Sequence, residues 1–327
     1  MSLNATVLTR RMFVKASALA GAIAVTAGAR VSLAAGAASS AADSVASATP
    51  TPETIDWRTT DVNALVAGGA NVALAKTYSI YRMEGDSIDS AIECDVYYDL
   101  DADKIVDIEF EEVLLPMAAA GAEGWGVLDD ETAAKLGDAV LDLDGVKAPK
   151  SFELGGITWT GEVADNTVTY TADINGATTA FNDYVDTPEG GAWYHECYTD
   201  GADLLDADGK VAAHVEIGTK ASTNHGVDFW ASPITFPGNI QLIKNYLYDH
   251  GTDFAYAPDG GDIKQDDAGV WEVLDTVTGA TLAGTPNYLN LAKEAVEAIK
   301  SGDYETVEEG TAPKAASSAA DKKAASK

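Results

Sequence analysis

Two acidic turns, each followed by an alternation of apolar and polar residues, constrain the fold of this chain more than any other sequence feature. The first turn begins residues 100–110 and the second begins residues 205–217. In both segments a short run rich in aspartate leads to a lysine, after which apolar residues recur at alternating positions. A period of two is typical of a strand with one buried face. The two segments are therefore predicted to be β-strands that follow acidic turns.

A second similarity further along the chain indicates an internal duplication. The sequence Asn175-Gly176-Ala177-Thr178 resembles Thr278-Gly279-Ala280-Thr281, and each lies at a similar distance from its turn, 72 residues from Lys104 to Gly176 and 69 from Lys210 to Gly279. Nearly equal spacings are typical of repeated units. The prediction is an α+β fold with two related units in tandem, residues 55–188 and 189–302, each a small sheet packed with helices. The alternative is chance recurrence in a chain rich in Ala, Asp and Gly.

The N-terminal 37 residues resemble a twin-arginine signal peptide. Arg10 and Arg11 are followed by Phe13 and Lys15, then by an Ala-rich apolar run over residues 16–29, and residues 35–37 fit an A-x-A cleavage site. That run is too short to span a bilayer comfortably, which argues against an anchor helix. The resemblance implies export by the twin-arginine route to the periplasm, the cell envelope or the extracellular space. Low-complexity composition predicts a disordered linker over residues 38–54 and a disordered tail over 303–327.

The charge of the chain excludes several classes of partner. The chain has 52 Asp and Glu against 21 Lys and Arg, a formal net charge of -31. Without residues 1–37, which hold four basic and no acidic residues, 17 basic remain against 52 acidic, a net of -35. Such an acidic surface repels the phosphates of nucleic acids and anionic lipids. We therefore predict no nucleic-acid partner. We also predict no integral membrane span in the mature chain, because no second apolar stretch is long enough to cross a bilayer.

The segment with the most chemical information is residues 271–299. It contains the pattern Asp-x-x-(Ser/Thr)-Gly-Ala-(Ser/Thr), which here comprises Asp275, Thr278, Gly279, Ala280 and Thr281. Thr285-Pro286 then has the form of an N-cap followed by proline at the first helical position. Apolar residues recur beyond it at helical spacing to Ile299, which predicts a helix ending near residue 300. A loop entering a helix N-terminus suits a phosphate, because the free amides and the helix dipole favour an anion.

The pattern resembles the flavinylation site of FMN-binding domains. These domains occur in the C subunit of the sodium-pumping NADH:quinone oxidoreductase, in the G subunit of the Rnf complex and in exported flavoproteins. The resemblance implies that FMN is joined through a phosphoester to Thr281, with Asp275 as the acidic member of the motif. It also implies a flavin transferase as a partner, together with redox donors and acceptors. Chemically, the site requires a hydroxyl to form the ester and small residues to admit the phosphate.

The first copy departs from this motif, and the remaining residues indicate no other cofactor. Aligned on the glycine, Ala172 replaces the aspartate and Asn175 the hydroxyl residue, so Thr178 is predicted to lack FMN. The acidic turn lacks the glycine and the final glutamate of an EF-hand, and the histidines lack the spacing of a zinc site. Trp193, Trp230 and Trp271 are candidates for stacking on a flavin, and a disulfide between Cys94 and Cys197 is possible.

The function predicted from the sequence is an exported electron-transfer flavoprotein that relays electrons outside the cytoplasm. No dinucleotide fingerprint, P-loop or nucleophile elbow accompanies the motif, so a relay is favoured over a complete reductase. Two alternatives stay open. One is an extracytoplasmic flavin-dependent reductase of small molecules, and the other is a non-redox surface-binding protein in which the motif occurs by chance.

Overall fold

A computed structural model describes residues 55–81, 90–117, 124–221, 236–254 and 285–312. In it, strands with alternating apolar residues and helices with an apolar face form separate layers. The helices are α1 (Val62–Ala67), α2 (Asp130–Leu136), α3 (Phe181–Val185), α4 (Pro188–Cys197), α5 (Phe236–His250) and α6 (Thr285–Ser301). The strands are β1 (Val72–Tyr81), β2 (Ser90–Asp99), β3 (Lys104–Leu114), β4 (Val140–Leu143), β5 (Val146–Pro149), β6 (Ser151–Leu154), β7 (Ile157–Ala164), β8 (Thr167–Ile174), β9 (Ala177–Ala180), β10 (Ala202–Leu205), β11 (Val211–Val215) and β12 (Glu305–Thr306). The predicted α+β class is confirmed.

A four-stranded antiparallel sheet has the strand order β12-β1-β2-β3. Strand β2 pairs along nearly its whole length with both β1 and β3. The acidic turn after β2 leads directly into β3, as predicted. Asp103 adopts a left-handed backbone with φ 51°, which the turn requires just before Lys104. Side chains alternate between the two faces, so one face of β1–β3 is covered by α5 and α6 and the other by α1 and α4.

A six-stranded sheet has the order β11-β10-β6-β7-β8-β9, and β4 pairs with β5 in a separate hairpin. The second acidic turn leads into β11 at one edge, which confirms the second predicted strand. At the opposite edge Asn175 and Gly176 connect β8 to β9 with φ values of 55° and 85°. Two consecutive positive φ angles are typical of an Asn-Gly hairpin turn. Helices α3 and α4 follow this edge and pack through Phe181 and Tyr194 into the core of the sheet.

Three apolar clusters hold these layers together. The largest joins the six-stranded sheet to α2, α3 and α4, and the second lies between the four-stranded sheet and α5 and α6. The third, which we call the α1 cluster, contains Val62, Val72, Tyr97, Val106, Val307 and Ala312. Burial of such side chains supplies most of the free energy that favours folding.

The chain after α6 departs from the predicted disordered tail. Residues 305–306 pair with β1 as β12, and Val307 and Ala312 are buried in the α1 cluster. Asn63 fixes the segment further, because its side-chain amide donates to the Ala312 carbonyl over 2.8 Å. Strand pairing, two buried apolar side chains and this hydrogen bond together hold residues 305–312 against the sheet. None of the described helices is long and apolar enough to cross a membrane.

Candidate functional site

The predicted flavin-binding residues lie outside the part of the chain that the structure describes: Asp275, Thr278, Gly279, Ala280 and Thr281. The helix predicted to follow them is described. Helix α6 begins at Thr285, one residue before the predicted first position, and ends at Ser301. The helix is thus confirmed, and the flavin site remains a prediction. The predicted signal and linker, residues 1–54, also lie outside the described ranges.

The corresponding segment of the first copy is described as a hairpin. Thr178 is an exposed residue of β9, and the Asp173 carboxylate accepts the Gly176 backbone N–H over 2.7 Å. Trp193 is the described member of the three candidate tryptophans, and it packs in the largest core cluster beside Trp159 and Tyr184.

An aspartate of the first acidic turn accepts backbone amides, and Cys94 and Cys197 do not form the disulfide considered possible. The side chain of Asp99 accepts the backbone N–H groups of Asp101 and Ala102, each over 3.0 Å, which stabilises the turn before β3. Cys94 and Cys197 are both buried and are free thiols. Among the described residues, no group of three or more His, Cys, Asp or Glu side chains could hold a metal ion.

A concentration of charge lies on the α4 side of the four-stranded sheet. Register aligns two rows of side chains across β1, β2 and β3, which we call the polar rows. They comprise Lys76, Asp95 and Glu109 in one row and Tyr78, Glu93 and Glu111 in the next. The flanking rows are largely apolar and belong to the α1 cluster on one side and the largest cluster on the other. Carboxylates on adjacent strands repel one another, so this arrangement requires neutralising partners.

Lys76 is shared between two carboxylates of β2. Its Nζ atom lies 3.0 Å from Glu93 Oε1 and 2.7 Å from Asp95 Oδ2. Asp95 is buried, and its Oδ1 atom has no hydrogen-bond partner among the described residues. Burial, followed by the negative charge of Glu93, raises the pKa of Asp95 to about 7. Burial thus favours the protonated form of this carboxyl group.

On β3, partners from two helices neutralise the remaining carboxylates. Lys244 of α5 lies 3.1 Å from Glu109, and the Nδ1 atom of His195 in α4 lies 3.3 Å from Glu111 Oε2. Tyr198 also donates to Glu111 over 2.7 Å. Burial opposes the charge of Glu111, yet these two hydrogen bonds lower its pKa. Burial raises the pKa of Glu109 despite the attraction of Lys244.

His195 lies in helix α4. Its side chain is almost completely buried, and its Nε2 atom has no hydrogen-bond partner among the described residues. Since an ionised carboxylate only accepts, Nδ1 is assigned as the donor to Glu111.

The opposite face of the sheet holds a fully buried ion pair, which we call the Glu112 cluster. Glu112 accepts hydrogen bonds from the hydroxyls of Ser90 and Tyr288, and its Oε1 atom lies 2.5 Å from Lys220 Nζ. The ammonium also lies 4.6 Å from the centre of the Tyr81 ring, which adds a cation–π contact. Because Tyr288 is in the first turn of α6, this cluster fixes the start of that helix on β3.

Comparisons with models of protein families, with curated proteins and with solved structures gave no match to this chain. The sequence reasoning did not identify the polar rows or the Glu112 cluster. A signal for the rows was present, because acidic residues alternate at 107, 109 and 111, but such a face is usually solvated.

Proposed function

We propose that this protein is an exported electron-transfer flavoprotein that carries FMN as a phosphoester on Thr281. The observation that carries the proposal is the complete motif from Asp275 to Thr281, followed within four residues by the start of a long helix. Bound FMN would supply the redox chemistry, since flavins accept and release electrons singly or in pairs.

The start of α6 supports this attachment point. Four residues of chain span at most about 14 Å, so the proposed ester at Thr281 would lie near the N-terminal end of α6. Seventeen residues of helix provide a full dipole, and free amides at such an end favour a phosphate. The contact of Tyr288 with Glu112 would hold this end against the sheet.

Two local features support the further proposal that the chain contains a duplication, although β10 and β11 of the second predicted unit lie in the same sheet as β6–β9 of the first. Each acidic turn uses one aspartate carboxylate to accept backbone amides, Asp99 in the first turn and Asp206 in the second. Each also places a left-handed residue just before the lysine, Asp103 with φ 51° and Gly209 with φ 76°. Strands β3 and β11 belong to different sheets. Duplication predicts that residues 104–110 and 210–217 superpose together with the turns before them, and segments that do not superpose would contradict it.

Mass spectrometry of the denatured full chain, produced together with a flavin transferase, tests the flavin assignment. We expect an added mass of one FMN less water, and yellow fluorescence that survives denaturing electrophoresis. Thr281→Ala should abolish both signals because alanine has no oxygen to esterify, while Thr281→Ser should retain them in part. Asp275→Ala should reduce them if the acid assists the transferase, as the resemblance suggests.

The matched control is Thr178→Ala. Thr178 is exposed on β9, so its removal should leave both the fold and the flavin signal unchanged. Covalent flavin in Thr281→Ala would disprove the site. A colourless wild-type protein would favour the non-redox alternative, and flavoprotein with substrate-specific turnover would favour the reductase over the relay.

A further inference from the structure

The carboxyl group of Asp95 is in an environment that an ionised carboxylate does not favour. The residue is only 8% exposed, and its Oδ1 atom is buried without a hydrogen-bond partner among the described residues. Lys76 contacts the other oxygen, Oδ2. Burying an unpaired polar atom is unfavourable, and such atoms in folded proteins usually have a partner. A donor is therefore needed at Oδ1.

Glu93 is the neighbour that can share such a donor. It lies two residues before Asp95 on the same face of β2, and the ammonium of Lys76 contacts both carboxyl groups. Two ionised carboxylates only accept, so a hydrogen bond between them requires a proton on one of the two. Lys76 supplies one positive charge for the two groups, which leaves one negative charge without a partner.

The other groups around Glu93 and Asp95 do not provide a second positive charge for the pair. Tyr78 is the cross-strand neighbour of Glu93, Lys244 contacts Glu109, and His195 donates to Glu111. Other titratable groups near the pair, among the described residues, are Tyr97, Tyr198 and Cys94, and Glu305 lies near Tyr78. The ammonium of Lys76 already contacts both carboxyl groups, and a metal ion would have to displace it.

We propose that Glu93 and Asp95 form a proton-binding site, in which one proton bridges their two carboxyl groups beside Lys76. A proton on Oδ1 turns that atom from an unpaired acceptor into a donor. Lys76, Glu93 and Asp95 are then neutral together. Transfer of the proton to water leaves a net charge of about −1 between two apolar clusters, close to Glu109 and Glu111. No bond other than that to the proton changes, and no electron is transferred.

Carboxyl carbon NMR of the full chain, recorded as the pH is raised, measures the proton directly. We expect one carboxyl group to titrate with a midpoint of about 7, in keeping with the pKa of Asp95, and this signal should disappear in Asp95→Asn. Glu93→Gln should lower the midpoint, because the negative neighbour is lost and the new amide can donate to Asp95.

Glu109→Gln is the matched control. Glu109 and Asp107 are also two residues apart on one strand and share Lys244, but the Glu109 side chain is 45% exposed. The midpoint of Asp95 should remain in this variant, with at most a small downward shift. The proposal is overturned if no carboxyl group of the wild-type protein titrates near neutral pH, or if the signal persists in Asp95→Asn. The wild-type titration decides even if a variant does not fold.

Discussion

Replacing Lys220 by methionine should destabilise this protein far more than the loss of one ion pair at its surface. Lys220 and Glu112 have side chains that are 4% and 1% exposed, so the variant leaves a carboxylate in the core without its counter-charge. Removing one partner of a buried pair costs about 3–5 kcal/mol. That is a large part of the roughly 5–15 kcal/mol that stabilises a typical folded domain.

The double variant Lys220→Met with Glu112→Gln removes both charges but keeps side chains of similar size. It therefore separates the cost of a buried unpaired charge from the cost of altered packing. Glutamine keeps an oxygen that can accept from Ser90 or Tyr288, so the remaining loss should be about 1–2 kcal/mol, that of imperfect hydrogen bonding. The double variant should therefore be more stable than Lys220→Met alone. Urea unfolding followed by tryptophan fluorescence and circular dichroism gives these values, provided that the two transitions coincide and the slope m is unchanged.

An exposed pair provides the control. Lys147 lies 2.8 Å from Asp130, whose side chain is 97% exposed, and Lys147→Met should change the stability by no more than about 1 kcal/mol. The reasoning is refuted if Lys220→Met costs as little as this control. It is equally refuted if the double variant is no more stable than Lys220→Met alone.

Two further predictions concern pH and export. The pKa of Asp95 is about 7 in the folded protein, against an ordinary value of 3.8, so the folded state binds this proton more tightly than the unfolded state. The contribution of Asp95 to the free energy of unfolding therefore falls as the pH rises toward 7. From about pH 5 to about pH 8 the wild type should lose up to about 3 kcal/mol relative to Asp95→Asn, measured by urea unfolding; equal pH slopes would contradict this. Replacing Arg10 and Arg11 by lysine should leave the precursor in the cytoplasm in cell fractionation, whereas undiminished export would rule out the twin-arginine assignment.

The local sequence determined the elements whose signals are short-range. The acidic turns and the alternation after them predicted β3 and β11, and the Thr285-Pro286 start with its helical repeat predicted α6. These signals are reliable because turn chemistry and periodicity depend on residues only a few positions apart. The motif that ends at Thr281 is also local, since it spans seven consecutive residues, and the flavin site remains a prediction.

The tertiary structure decided the ion-pair partners and the burial of the charged side chains. Sequence alone places Glu93 and Asp95 on one face of a strand, but their charges depend on Lys76 of another strand and on burial between α1 and α4. Glu112 and Lys220 are more than one hundred residues apart, and only the pairing of residues 218–220 with the edge of β3 brings them together. The protonation and ion pairing of a side chain follow from desolvation and nearby charge, which are properties of the packed fold.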